Sequence, residues 1–73
     1  MSSTTFPITL NGDATHATPD STLSDLLRAS GRDPQKPGIA VAVNEKVVPR
    51  SKWDETSIED GDRIEVLTAL AGG

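Results

Sequence analysis

Asp60-Gly61-Asp62-Arg63-Ile64-Glu65-Val66-Leu67-Thr68-Ala69-Leu70-Ala71-Gly72-Gly73 closes the sequence, and the rest of the chain has to be arranged around it. Asp-Gly-Asp is turn chemistry, and the residues after it alternate. Ile64, Val66 and Thr68 fall on one side of an extended chain, while Arg63, Glu65, Leu67 and Ala69 fall on the other. The spacing predicts a final strand over 63–70 with one face in a core. Such a strand needs partners on its edges and a cover on its apolar face.

Working outward, Phe6-Pro7-Ile8-Thr9-Leu10 places Phe6, Ile8 and Leu10 on one face of a first strand. Asn11-Gly12-Asp13 is a hairpin signal and Ala14 to Thr18 is the returning arm. Pro7 cannot donate to a ladder, so it has to sit where none is required. Thr22 with Asp25 three residues on resembles a capping box and starts a helix at Leu23. Leu23, Leu26 and Leu27 form its apolar stripe, with Ser24, Asp25 and Arg28 toward water and Gly31 as its end. A loop over 33–38 carries Pro34, Pro37 and Gly38. Ile39-Ala40-Val41-Ala42-Val43 alternates large and small, giving a central strand with Ile39, Val41 and Val43 inward and the other face nearly bare. Asn44-Glu45-Lys46 turns into the short strand Val47-Val48, which Pro49 stops, and 51–58 reads as irregular with a helical turn around Trp53. Strand, strand, helix and three strands, joined by short turns, predict an α+β roll of the β-grasp type. Its mixed sheet has four to five strands, the last beside the first, and one main helix lies across it. Residues 1–70 form the domain and 71–73 a flexible tail.

Composition narrows function. At 73 residues there is room for one small core, with Phe6 and Trp53 as its aromatics. A formal charge of -4 is the wrong sign for following a phosphate backbone or an anionic membrane. Without Cys and with His16 alone, no thiolate or histidine metal site forms, so neither metal nor cofactor is expected. No apolar run approaches the roughly 18 residues of a span, and Met1 to Thr5 lacks a basic leader, which points to the cytoplasm. Asp54-Glu55 and Glu59-Asp60 read as solvated turns, and His16 as an ordinary strand residue. Gly12, Gly31, Gly38 and Gly61 are isolated, so the chain has no phosphate-cradling loop. An enzyme is not expected, and an acidic monomer is.

Gly72-Gly73 is the feature that points to chemistry. At average glycine usage two successive terminal glycines arise by chance in roughly 0.5% of chains. A Gly-Gly end passes extended through a narrow channel and presents its carboxylate. A carboxylate is a poor electrophile until ATP converts it to an acyl-adenylate, and this chain must borrow that ATP site from another enzyme. Near the tail, Leu67 and Leu70 are candidates for docking. Trp53 reads either as a core-edge plug or as a partner anchor, and Arg50 and Arg63 either as solvated cations or as contacts to an acidic partner.

The chain resembles the ubiquitin-like β-grasp carriers, and the ThiS family of sulfur carriers most closely. The resemblance rests on Leu10-Asn11-Gly12, Thr22-Leu23 with Leu26-Leu27, Ala42-Val43-Asn44, Val47-Val48-Pro49-Arg50 with Trp53, Asp60-Gly61-Asp62-Arg63-Ile64-Glu65 and Ala71-Gly72-Gly73. It implies that a ThiF-like enzyme adenylates the Gly73 carboxylate, that sulfur converts it to a thiocarboxylate, and that thiazole synthase of thiamine biosynthesis accepts the sulfur. Ala71 and Gly72 are then the reactive tail. Asp-Gly-Asp with Gly-Gly also resembles the small subunit of molybdopterin synthase. A non-covalent β-grasp module, or a modifier joined to lysines, is the alternative of another class.

Overall fold

The computed structural model of the protein describes residues 4–68. Along the chain run β1 (Phe6–Leu10), β2 (Asp13–Ala17), α1 (Leu23–Ala29), β3 (Ile39–Val43), β4 (Lys46–Val48), a 3-10 turn over Arg50–Lys52 and β5 (Arg63–Thr68). The sheet order is β2-β1-β5-β3-β4, with β1 and β5 parallel and every other pair antiparallel. The mixed β-grasp sheet is therefore as expected, and its last strand lies beside its first. The second strand begins at Asp13, one residue before the expected Ala14. Asn11 and Gly12 alone make the turn, both at positive φ (53° and 85°), the pair of conformations a two-residue hairpin of the right twist requires. Asn44 and Glu45 repeat it between β3 and β4, at φ 51° and 73°.

Pro7 is tolerated because of where β5 starts. On the β5 side of β1, pairing begins at Thr9, whose N–H donates to the Asp62 carbonyl at 3.0 Å, while Pro7 uses only its carbonyl, accepting from Gly61 at 2.8 Å. No donor is needed from Pro7 on that side.

α1 starts where the sequence places it. Thr22 accepts from the Asp25 N–H at 3.3 Å and Asp25 accepts from the Thr22 N–H at 3.0 Å, a reciprocal capping box. At the other end the Arg32 N–H donates to Leu27 and the Gly31 N–H to Arg28, with Gly31 at φ 86°, which closes the helix as a Schellman turn. Leu23 and Leu27 are buried on the sheet and Leu26 flanks them.

One outward expectation, Ser24, and one inward expectation, Thr68, fail, and one covering element was missed. Ser24 is buried rather than turned to water, because residues 53–58 clasp the start of α1. Leu23 donates to the Thr56 carbonyl (3.0 Å), Ser24 to that of Trp53 (3.3 Å), and Ile58 to that of Ser21 (3.0 Å), with a bridge between Thr22 and Ser57. That segment is irregular as expected, yet it delivers Trp53 and Ile58 to the core. Thr68 is exposed, since the inward alternation of β5 ends at Val66. Ile39 and Val43 pack inward against the core as expected, half-buried at the ends of a strand whose centre, Val41, is fully covered.

The core joins Ile8, Ala17, Leu23, Leu27, Val41, Trp53, Ile58, Ile64 and Val66, with Ile64, the second residue of β5, 0% exposed. β5 is held from both flanks by asparagines of the two hairpins. At its start the Asn44 carboxamide oxygen accepts from the Arg63 N–H (3.0 Å). Near its end the Asn11 carboxamide oxygen accepts from the Val66 N–H (2.8 Å).

Trp53, 2% exposed, and Leu67, 70% exposed, should behave oppositely on truncation. Trp53→Ala is expected to cost about 3–5 kcal/mol in urea unfolding and Leu67→Ala to stay within about 0.5 kcal/mol. Equal losses would show that the burial assignment is wrong.

Candidate functional site

The site follows from the position of β5. It is the central strand of the sheet, and Thr68 is its last described residue. Leu70, Ala71, Gly72 and Gly73 lie outside the described residues.

Toward the end of β5 the open face of the sheet is apolar. β3 turns its small residues outward, and Ala40 and Ala42 floor a shallow hollow of about 70 Å³. Leu67 on β5 and Val47 on β4 form its walls together with Glu65. Val47 and Leu67 are the exposed large hydrophobic side chains among the described residues, at 77% and 70%. Standing on either side of an alanine floor, they make one patch rather than two scattered side chains. The register explains the pairing: Ala40 faces Leu67 across the β3–β5 ladder and Ala42 faces Val47 across the β3–β4 ladder. Leu67 was anticipated from its closeness to the tail. Val47 was missed, although the pair Val47-Val48 in a short strand carried the signal, because alternation must turn one of the two outward.

The other candidates separate. Arg63 lies on the same outer side of β5 and pairs with Glu45 at 3.7 Å; both side chains are mostly exposed, so the pair is a weak one and the guanidinium stays accessible. Arg50 does not stand free. It donates to the carbonyls of Pro34 and Lys36, the latter at 2.6 Å, and its guanidinium stacks 4.7 Å above the Trp53 ring. It ties the proline-rich loop to the core. Trp53, offered as a partner anchor, is buried in that core and donates its indole N–H to the Val48 carbonyl at 2.9 Å, so its surface is not available.

A wider cleft of about 590 Å³ opens between that loop and the end of β5, lined by Arg32, Asp33, Lys36, Pro37, Ile39 and Thr68 among others. Among the described residues no group of three or more His, Cys, Asp or Glu side chains converges as a metal site, and no helix is long and apolar enough to cross a membrane. His16 is exposed on β2. The arrangement is an exposed apolar hollow with a charged edge on the outer side of the sheet.

Comparison with known proteins agrees over nearly the whole chain. The ThiS family model matches residues 8–73. The sulfur carrier protein ThiS of Escherichia coli (strain K12) is 33% identical over 66 residues, covering 90% of this chain and 97% of that protein. A thiazole synthase of Paramagnetospirillum magneticum (strain ATCC 700264 / AMB-1) is 30% identical over 66 residues, 90% of this chain but 20% of the synthase. The crystal structure of the thiamine biosynthesis protein ThiS from Geobacter metallireducens superposes with a TM-score of 0.73 at 29% identity, over 93% of this chain and all of that one.

Arg50→Ala removes a charged fork from two carbonyls and a cation from an aromatic face, and is expected to lower stability by about 1–3 kcal/mol in thermal or urea unfolding. Arg50→Lys should recover only part of it, because an ammonium cannot span both carbonyls in one plane. An Arg50→Ala protein as stable as the parent would show that the clamp contributes nothing.

Proposed function

We infer function from kinship: this chain belongs to the ThiS family, and it is a sulfur carrier in thiamine biosynthesis. The observation that carries the identity of the acceptor is the likeness to thiazole synthases, in which a segment resembling this chain makes up a fifth of the protein. Carrier-like and synthase sequence share one polypeptide there, which supports delivery of sulfur from this chain to a thiazole synthase.

The chemistry is carried by Gly73. Its carboxylate oxygen attacks the α-phosphorus of ATP on a ThiF-like adenylating enzyme, pyrophosphate leaves, and the acyl carbon becomes a mixed anhydride with AMP. A sulfur nucleophile then adds at that carbon and AMP departs, leading to the thiocarboxylate. Gly72 and Ala71 serve the reaction by being small, so that the tail enters a channel too narrow for larger side chains. The ATP site and the catalytic groups belong to the partners, and this chain acts as their substrate in the cytoplasm, as a monomer.

Docking falls to the face built by Val47, Leu67, Ala40 and Ala42, with Arg63 at its rim; Leu70, a further candidate contact, lies outside the described residues. An apolar centre with a charged edge, next to the reactive end, supports engagement of the adenylating enzyme and the synthase in turn by the same surface. Trp53 and Arg50 serve the fold rather than the contact.

Two loading experiments with a ThiF-like enzyme, ATP and a sulfur source test this reading. A chain ending at Gly72 is expected to take no sulfur while unfolding as the parent does; undiminished loading would overturn the assignment of Gly73. The double variant Val47→Asp with Leu67→Asp is expected to raise the KM for the carrier by about tenfold or more while remaining folded by circular dichroism. An unchanged KM would remove this face from the contact.

A further inference from the structure

Asn11 does more than a turn requires. At φ 53° beside Gly12, a hairpin asks only for a residue that accepts a positive φ, and glycine would meet that demand. Its side chain instead crosses to a strand 55 residues away, where the carboxamide oxygen accepts the Val66 N–H at 2.8 Å.

That bond lies at a particular place. The parallel ladder between β1 and β5 is short, pairing Thr9 with Arg63 and Leu10 with Ile64, and the Asn11 N–H adds one bond to the Ile64 carbonyl at 2.9 Å. One step further along β5, β1 has turned away into its hairpin. There the Asn11 carboxamide takes the part of the strand carbonyl that is missing. On the opposite flank β3 keeps pairing through Leu67 and Thr68, with Ala40 and Ile39. Without the Asn11 side chain, β5 would be held from Glu65 onward on the β3 side alone.

We propose that Asn11 is a positioning residue for the reactive end. By tying Val66 it holds Leu67 and Thr68 in strand geometry, so that Leu67 keeps its place on the docking face. The proposal rests on the reading that Gly73 takes the sulfur. Ordering the strand end in the free carrier means that less conformational entropy is lost when the end enters a partner, so the effect falls on encounter rather than on the chemical step.

Asn44 provides the internal control. It occupies the same position of the same kind of turn, at φ 51°, and its side chain also reaches β5, but at the strand's start, accepting from the Arg63 N–H at 3.0 Å and donating to Asp62 at 3.0 Å. Its loss should weaken the fold comparably without loosening the end of β5.

The test compares the parent with Asn11→Gly, Asn11→Asp and Asn44→Gly, following pyrophosphate release by a ThiF-like enzyme at saturating ATP with the carrier as varied substrate. Glycine keeps the positive φ and deletes only the side chain, and aspartate keeps an acceptor oxygen at the same place. For Asn11→Gly, faster hydrogen exchange at the Val66 amide and a KM raised by about three- to tenfold are expected, with kcat within about twofold. Asn11→Asp should restore most of both, and Asn44→Gly should leave KM within about twofold of the parent. A parental KM in Asn11→Gly, or an equal rise in Asn44→Gly, would overturn the proposal, the second because it would make the effect one of general stability. If Asn11→Gly is not folded at the assay temperature, the comparison of Asn11→Asp with Asn11→Ser, a side chain too short to reach Val66, decides by the same criterion. A parent chain that releases no pyrophosphate would overturn the function itself, and this inference with it.

Discussion

The structure depends on the docking of β5 between two strands that are far from it in sequence. Ile64 and Val66 supply the middle of the core, and they do so only while β1 holds one edge of β5 and β3 the other. The local hairpins cannot bury their apolar faces alone, because each presents one wet and one dry side and α1 is too short to cover either without the other. Closing the long loop from β1 to β5 is therefore the costly step, and the wholly buried Ile64 is the reward for it. The same placement puts Leu67 on the hollow of the outer face and Thr68 on the proline-loop cleft.

Packing and exposure fall to different residues of one strand. Ile64 and Val66 face inward and carry packing; Leu67, one step on, is exposed and carries none. Arg50 illustrates the same division. Its guanidinium is spent on the carbonyls of Pro34 and Lys36 and on the Trp53 ring, which leaves Arg63 as the accessible cation nearest the apolar patch among the candidates named in the sequence. An alanine floor between Val47 and Leu67 costs the fold little and leaves a hollow open on the outer face.

How much of this was legible in the sequence depended on the range of the signal. The α1 cap is local: Thr22 and Asp25 satisfy each other's N–H groups, so three residues of spacing were enough to place the helix start. The two hairpins were equally readable, because Asn-Gly and the Asn44 turn need only a positive φ. The role of residues 53–58 was legible only in part: Trp53 could be placed in the core as one of two aromatics, but the clasp that brings Ile58 in with it forms through contacts with Ser21, Leu23 and Ser24, none of them near in sequence. The burial of Ser24 and of Trp53 follows from that same clasp. Asn11 is the sharpest case: its turn role is written in its neighbours, and its bond to Val66 is written nowhere short of the folded sheet. Of the site, Leu67 and Arg63 could be placed from alternation, whereas the hollow shared by Val47, Ala40 and Ala42 required the pairing of three strands.

The central claim is that sulfur travels on the last residue of this chain. Intact and fragment mass spectrometry, before and after incubation with ATP, a sulfur source and a ThiF-like enzyme, tests it directly. The account predicts one oxygen replaced by one sulfur, confined to the fragment that ends in Gly73. Sulfur found elsewhere in the chain, or none from an enzyme shown active on another carrier, would contradict it.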